Sequence, residues 1–336
     1  MPALVSGRKV RLAFIGAGGN ARAHIRAVHG YPDADVVALC DTSEQALTDA
    51  ASRIPEIADL PRFTNYEAMI AAVHPDGVII SIPHTLHYRV AAYALEHGVS
   101  VQVEKPMTCN PEDARRLIDL RDRTGLVLSV GYQRHYQGVW RWVQQLVGGG
   151  ELGPLHFIEA WQCQNWGGRG WRGVPELSGG GQLNDSGSHL CDIILWASGI
   201  RPSEVFAFQE KRGLQVDRLS AISFRFPGPG VGTIAIVGES ASGMDEGVQF
   251  WCRDGRVRVD GMDAGIRASC ITRDGEVRPE AEAIADYPVD KDGNFIRCIL
   301  GQDEPQVKAE SGLAVAAFTE AVYRSVDTGA VAKVDW

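Results

Sequence analysis

Asp76-Gly77-Val78-Ile79-Ile80-Ser81-Ile82 is a near-continuous apolar run that stops at Pro83-His84. It has the length of a strand but lacks the in–out alternation of a strand with one wet face, so both of its faces must be covered. Sheets covered on both faces are the parallel sheets of α/β folds, whose crossover helices pack on either side. Helical patterns flank the run, over Tyr66 to Val73 before it and Leu86 to His97 after it, where Leu86, Val90, Tyr93 and Ala94 recur at helical spacing and Gly98 closes the helix. The strand that follows, Val99-Ser100-Val101-Gln102-Val103-Glu104-Lys105-Pro106, is β-branched at alternate positions and ends on a proline that has no N–H for a ladder. In a parallel sheet the C-terminal strand edge is where ligands bind, which would gather Ser81, Pro83, His84, His87 and Lys105 at one mouth. A lysine in a surface ion pair and two histidines that cap or pack the turn account for the same residues.

The alternation extends in both directions. Val10 to Ile15 reads as a strand running straight into Gly16-Ala17-Gly18-Gly19-Asn20-Ala21 and then a helix, which Gly30-Tyr31-Pro32 stops. In such a turn Gly16 makes the tight bend, Gly18 lets backbone approach a pyrophosphate, and the small Ala21 lets the helix pack on the strand. The exposed N–H groups at Gly19 and Asn20 would face the phosphate. Asp41 ends the next strand, Val36 to Cys40, at the position where a carboxylate bonds the adenosine ribose of NAD and repels a 2′-phosphate. No arginine lies between Asp41 and Gln45, which favours NAD over NADP. Asp41 or Ser43 would equally serve to cap the next helix. Phe63-Thr64 suggests a short strand, Asn110-Pro111-Glu112-Asp113 opens a helix to Thr124, and Leu126 to Val130 is a further strand. The series predicts an N-terminal Rossmann domain, a doubly wound parallel sheet over residues 1–133.

At 336 residues the chain is long enough for two domains and a cleft between them. After a helix from Val139 to Val147 the alternation stops, and 134–336 is expected to be an α+β domain with a large open, mainly antiparallel sheet. Its strands are predicted at Pro154 to Cys163, Val205 to Glu210, Leu219 to Phe226, Val231 to Val237, Val248 to Cys252 and Arg256 to Val259. An open sheet has a second face to cover, most simply with another copy of the chain, hence a homodimer or homotetramer. A final helix, Leu313 to Val326, is expected to return toward the first domain. Within this half, a helical pattern from Gln182 to Ala197 sets Asp185 and His189 one turn apart on one face, with Asp192 extending it. A carboxylate beside an imidazole orients it and raises its proton affinity, as a base acting on a hydroxyl requires. A capping aspartate with an interdomain histidine, or a metal site using Asp185, His189 and Asp192, fits the same spacing, although no second ligand motif accompanies it.

The net charge of −9 disfavours nucleic acid, and no run is long and apolar enough to span a membrane. Met1 to Lys9 has no apolar signal region, and the seven cysteines form no Cys-x-x-Cys pair, so a reduced, cytoplasmic protein is expected.

With Gly16-x-Gly18-x-x-Ala21-x-x-His24, Asp41, Glu104-Lys105-Pro106 and Gly179-Gly180-Gly181-x-x-x-Asp185-x-x-x-His189-x-x-Asp192 in order, the chain resembles the glucose-fructose oxidoreductase and inositol dehydrogenase family, Gfo/Idh/MocA. The resemblance extends to Phe295 to Gly301 and the last helix. It implies hydride transfer between NAD and a hydroxyl carbon of a sugar, cyclic polyol or sugar derivative. Lys105 would bind the reacting hydroxyl, His189 would be the acid/base, and Asp185 would bind a neighbouring hydroxyl or orient the imidazole. Trp171 and Arg172 match the family's segment that reaches toward cofactor and substrate; Arg134 joins the expected substrate contacts and Glu104 the expected cofactor contacts. One departure is His84, where the family commonly has asparagine after the strand's proline. A redox-assisted glycosidase and a non-catalytic NAD or sugar sensor are the rival readings.

Overall fold

Two sheets organise two units of the chain. One unit comprises residues 1–108, 112–132 and 289–310, the other residues 109–111, 133–288 and 311–336. The computed structural model describes residues 8–241, 243–262 and 265–336, so the leader reading of Met1 to Lys9 falls largely outside the described residues.

The first unit is built on a six-stranded sheet in the order β3-β2-β1-β4-β5-β6, parallel throughout. Its strands are β1 (Val10–Ile15), β2 (Ala34–Cys40), β3 (Arg62–Phe63), β4 (Gly77–Ile80), β5 (Ser100–Val103) and β6 (Leu128–Val130). They alternate with α1 (Gly19–His29), α2 (Glu44–Arg53), α3 (Tyr66–Val73), α4 (His87–Glu96) and α5 (Pro111–Thr124). All four residues of β4 and of β5 are buried, as a run without alternation requires. The strand order reverses between β1 and β4, and the C-terminal ends of those two strands form the switch point of the fold. Two polar caps fix helix starts here: Ser43 Oγ accepts from Ala46 N–H at 3.2 Å, and Asn65 Oδ1 from Ala68 N–H at 2.8 Å.

The chain returns to this unit near its end through α9 (Lys291–Ile299). Phe295, Ile296 and Ile299 join the cluster formed by Val10, Leu12, Phe14, Ile25, Val28 and Ile79. Gly77 makes room for them, since a Cβ there would lie 2.8 Å from Ile299 Cδ1 and 3.0 Å from the Phe295 ring. The returning element is therefore α9. The last helix, α10 (Ala309–Thr328), belongs with the second unit from residue 311 onward, where its Phe318 ring packs edge-on against Phe224 at 5.6 Å.

Besides α10, the second unit carries α6 (Gly138–Val147), α7 (Pro175–Ser178) and α8 (Gly187–Ser198) with a nine-stranded sheet. Its strands are β7 (Leu155–Cys163), β8 (Glu204–Glu210), β9 (Leu219–Phe226), β10 (Gly230–Val237), β11 (Asp245–Cys252), β12 (Gly255–Asp260), β13 (Arg267–Thr272), β14 (Gly275–Val277) and β15 (Ala332–Lys333). The order is β14-β13-β12-β11-β7-β10-β9-β8-β15. Neighbours are antiparallel except β7 and β10, which lie side by side and parallel, so the strands are not all successive antiparallel partners. One face of this sheet is buried through alternate residues such as Ile222, Ile234, Val248 and Phe250. On the other face Phe208, Ala221, Ala235, Trp161 and Gly247 stand in register across five strands, with Phe208 68% and Trp161 36% exposed.

Candidate active site

In the first unit the glycine turn leaves β1 and enters α1 as its sequence dictates. Gly16 has φ +105°, and a Cβ there would lie 2.1 Å from Ser81 O, so only glycine lets the ends of β1 and β4 approach this closely. Gly18 faces open space; Gly18, Gly19 and Asn20 are exposed at the start of α1, while Ala21 is buried against the sheet. Asn20 Nδ2 donates to Ser81 Oγ at 3.2 Å. Asp41 ties the turn to β2: its Oδ2 accepts from Ala17 N–H and its Oδ1 from Ser43 N–H, both at 2.9 Å. Ser43, not Asp41, caps α2. An exposed helix N-terminus beside a two-residue glycine gap, with a carboxylate at the next strand end, fits a dinucleotide: N–H groups for the pyrophosphate and an acceptor for a ribose diol.

Lys105 is half-buried on the loop that leaves β5, at this same sheet edge, and the Lys105–Pro106 peptide is cis. Pro83, on the loop after β4, is half-buried, and His84 is 3% exposed. His87 is fully buried, with Nδ1 2.7 Å from Pro106 O and Nε2 3.0 Å from Ile82 O, and burial lowers its pKa. It bridges the loops after β4 and β5, one ring nitrogen facing each carbonyl, and donates its single N–H to one of them. Glu104 directly follows β5. It is 9% exposed, its Oε1 lies 3.0 Å from His24 Nε2, and burial, which opposes its charge, is outweighed by that hydrogen bond and by the charges of Lys291, His24 and Lys105, leaving it well below the usual carboxylate range.

In the second unit Asp185 precedes α8 instead of standing on it. Asp217, 4% exposed, anchors the segment before the helix: its carboxylate takes the N–H of Gly181 at 2.7 Å and of Leu183 at 2.9 Å, and its carbonyl takes that of Gln182. Tyr323 on α10 donates to the same carboxylate at 2.9 Å. Those bonds pin a turn over these residues, and α8 begins at Gly187. Asp185 Oδ2 accepts from Trp166 Nε1 and Arg172 Nε, both at 3.0 Å, and the Arg172 guanidinium lies over the Trp171 ring at 4.5 Å. His189 is half-buried in the first turn of α8. Trp171, Arg172 and Asp185 are thus held together as a group, with Trp166 as a member the sequence reading missed.

Two further residues have partners inside this unit. Arg134 is 4% exposed, its Nη1 2.7 Å and Nη2 2.9 Å from the two oxygens of buried Glu246, an internal ion pair. Asp192 turns to His135, whose Nε2 lies 2.9 Å from Asp192 Oδ2 and whose ring stacks on Trp196 at 4.2 Å. Among the described residues no group of three histidines, cysteines, aspartates or glutamates is placed to hold a metal ion. Nor is any described helix long and apolar enough to cross a membrane.

Comparison with known proteins agrees with this architecture. Residues 10–132 match the model of the Gfo/Idh/MocA oxidoreductase family, NAD-binding Rossmann fold, and residues 140–265 match that of the Gfo/Idh/MocA C-terminal domain. D-glucoside 3-dehydrogenase of Escherichia coli is 31% identical over 203 residues, 59% of this chain and 57% of that protein, so the chain spans little more than half of that relative's length. D-apiose dehydrogenase of Paraburkholderia graminis is 25% identical over 96% of this chain and 89% of its own. The WlbA dehydrogenase from Bordetella pertussis, crystallised with NADH and UDP-GlcNAcA, superposes with a TM-score of 0.84 at 24% identity, covering 98% of this chain and 100% of that one. The glycine turn, the Glu-Lys-Pro strand end, the two sheets and both family models lead to one conclusion: the chain belongs to the Gfo/Idh/MocA family.

Proposed function

We propose that the protein is an NAD-dependent oxidoreductase that moves a hydride between the nicotinamide and a hydroxyl or keto carbon of a sugar, cyclic polyol or sugar derivative. The observation that carries this reading is Lys105, placed on the loop after β5 at the ligand edge of the same parallel sheet whose β1 ends in the glycine turn. Gly16, Gly18, Gly19, Asn20, Asp41, Ser81, Pro83 and His84 would hold the cofactor, which supplies at C4 of its nicotinamide the acceptor for hydride. Arg172, expected among the cofactor contacts, and Trp171, among the substrate contacts, keep those assignments here. Asp41, an acceptor of backbone N–H groups, suits a ribose diol and repels a 2′-phosphate, hence NAD over NADP.

In the oxidative direction the Lys105 ammonium donates to the reacting hydroxyl and stabilises negative charge as it develops on that oxygen. His189 takes the hydroxyl proton. Asp185 accepts from a neighbouring hydroxyl; as an ionised carboxylate it offers about four acceptor positions, and Trp166 and Arg172 hold it in orientation. The relatives named as glucoside and apiose dehydrogenases support a carbohydrate substrate. A screen of aldoses, glycosides and inositols for NAD reduction, with NADP in parallel, tests the reading. Reduction by none of them with either cofactor would defeat it, and a clear NADP preference would overturn the role of Asp41.

We further assign the protein to the cytoplasm, in keeping with seven cysteines of which no two are joined by a disulfide, and to a homo-oligomer assembled on the open sheet face. That face offers aromatic Phe208 and Trp161 around a floor of Ala221, Ala235 and Gly247, a shape suited to a second flat apolar face. Sedimentation of wild type and Phe208→Glu tests it: an oligomer that the substitution dissociates is expected, and a wild-type monomer at micromolar concentration refutes it.

A further inference from the structure

His24, in the middle of α1, has no part in the chemistry just described, yet it is 1% exposed and surrounded by charge. Its Nδ1 lies 2.6 Å from Asp292 Oδ1 and its Nε2 3.0 Å from Glu104 Oε1. Lys291 Nζ stands 3.0 and 3.2 Å from the two ring nitrogens and 3.6 Å from Glu104 Oε1. Gln102 on β5 donates to Asp292 as well. The groups facing the imidazole are thus Asp292 and Lys291 from α9 and Glu104 from the end of β5, with Lys105 next along the chain.

A neutral imidazole has one N–H and could serve only one of the two carboxylates. With both nitrogens protonated, each carboxylate has a donor, and two anions balance two cations in a site where unbalanced charge is costly. The pKa direction agrees: burial and the adjacent charge of Lys291 work against the imidazolium, but the charge and hydrogen bond of Asp292 and the hydrogen bond of Glu104 overcome them and raise His24 to about 9. Glu104 is held from the other side too. Gly131 presses on it so closely that a Cβ there would lie 2.5 Å from Glu104 Oε1, and the second oxygen, Oε2, accepts from Lys105 N–H at 3.3 Å.

We propose that His24 is a positioning residue for Lys105: bonded at both ring nitrogens, it fixes the Glu104 carboxylate, which in turn holds the Lys105 backbone and sets the point from which its ammonium leaves the sheet. The proposal rests on the reading of Lys105 as the residue that binds the reacting hydroxyl. His24 acts only through Lys105, so its effect on turnover disappears when the ammonium is gone.

The test is a double-mutant cycle on the full-length protein with His24→Gln and Lys105→Ala, together with selective ¹⁵N-histidine NMR of the wild type. Displacement of a reacting group costs up to about a hundredfold, so His24→Gln should lower kcat by about tenfold to a hundredfold. Its KM for NAD should stay nearly unchanged, and in the Lys105→Ala background it should change the residual rate by less than about twofold. Should His24→Gln fold poorly, Glu104→Gln is the second variant, with the same expected loss and the same cycle. Titration of the wild type should find His24 doubly protonated at neutral pH. Equal losses in both backgrounds, or a His24 that is neutral at pH 7, overturn the proposal while leaving the function of Lys105 intact. Normal turnover of Lys105→Ala removes instead the functional reading on which it rests.

Discussion

Raising the pH should remove a measurable part of the first unit's stability, because the carboxylates facing buried His24 favour its protonated form in the fold. Its pKa is raised from 6.5 to about 9, chiefly against burial and by Asp292 and Glu104. A folded-state pKa above the unfolded one stabilises in full below about pH 6.5 and loses that stabilisation as the pH climbs through about 9. The full extent is about 3 kcal/mol, of which about 2 kcal/mol remains at pH 7.5 and almost none at pH 10. Asp292 and Glu104 are depressed, burial opposing the shift and the neighbouring cations outweighing it, so their share is lost on the acid side. These are the same contacts titrated from opposite partners and are counted once.

The assay must separate the units. All eight tryptophans lie in the second, so their fluorescence reports on it, while hydrogen exchange of peptides from β1 and β4 reports on the first. In urea, protection of those peptides should weaken by about 2 kcal/mol between pH 7.5 and 10 in wild type beyond any change in His24→Gln. A pH dependence identical in the two proteins would refute the buried imidazolium.

Trp166→Phe removes one donor to Asp185 and leaves Arg172; a hydrogen bond to a charged group is worth about 1.5–3 kcal/mol, so KM for the sugar should rise about tenfold or more with NAD affinity unchanged. Steady-state kinetics checks this, and wild-type KM would show that Trp166 does not hold Asp185 for substrate. Phe295→Ala empties a fully buried ring site against β1 and β4 and should cost about 3–5 kcal/mol. Loss of protection in the same β1 and β4 peptides measures it, and a loss under about 1 kcal/mol would mean that α9 contributes little to that core.

What was legible in the sequence is what local pattern decides. The unbroken β4 run, the strand–glycine–helix of Val10 to Ala21 and the proline after β5 each declare their structure within a few residues, and the six-stranded parallel sheet follows from them. What was not legible depends on partners far along the chain. The charged surroundings of Glu104 were not legible because Asp292 and Lys291, which enclose His24 with it, arrive almost two hundred residues later on α9. The ion pair of Arg134 was not legible because its partner Glu246 is 112 residues away. The helical period from Gln182 holds from Gly187 onward, but the residues before it form a turn anchored by Asp217, more than thirty residues downstream, and Asp185 lies in that turn. The parallel pairing of β7 with β10 is likewise a matter of neighbours that no local alternation encodes. Strand β14 is exposed at all three positions, and β15 has two residues, too little pattern to detect.

Under the proposed function Lys105 and His189 each take part in turnover while other residues hold NAD. Turnover of Lys105→Ala and His189→Ala with the best sugar from the screen, measured beside calorimetric NAD affinity, tests it most directly. Each substitution is predicted to lower kcat by a factor on the order of 10² to 10⁴ with NAD affinity within about threefold of wild type. Wild-type turnover in both variants would contradict the claim.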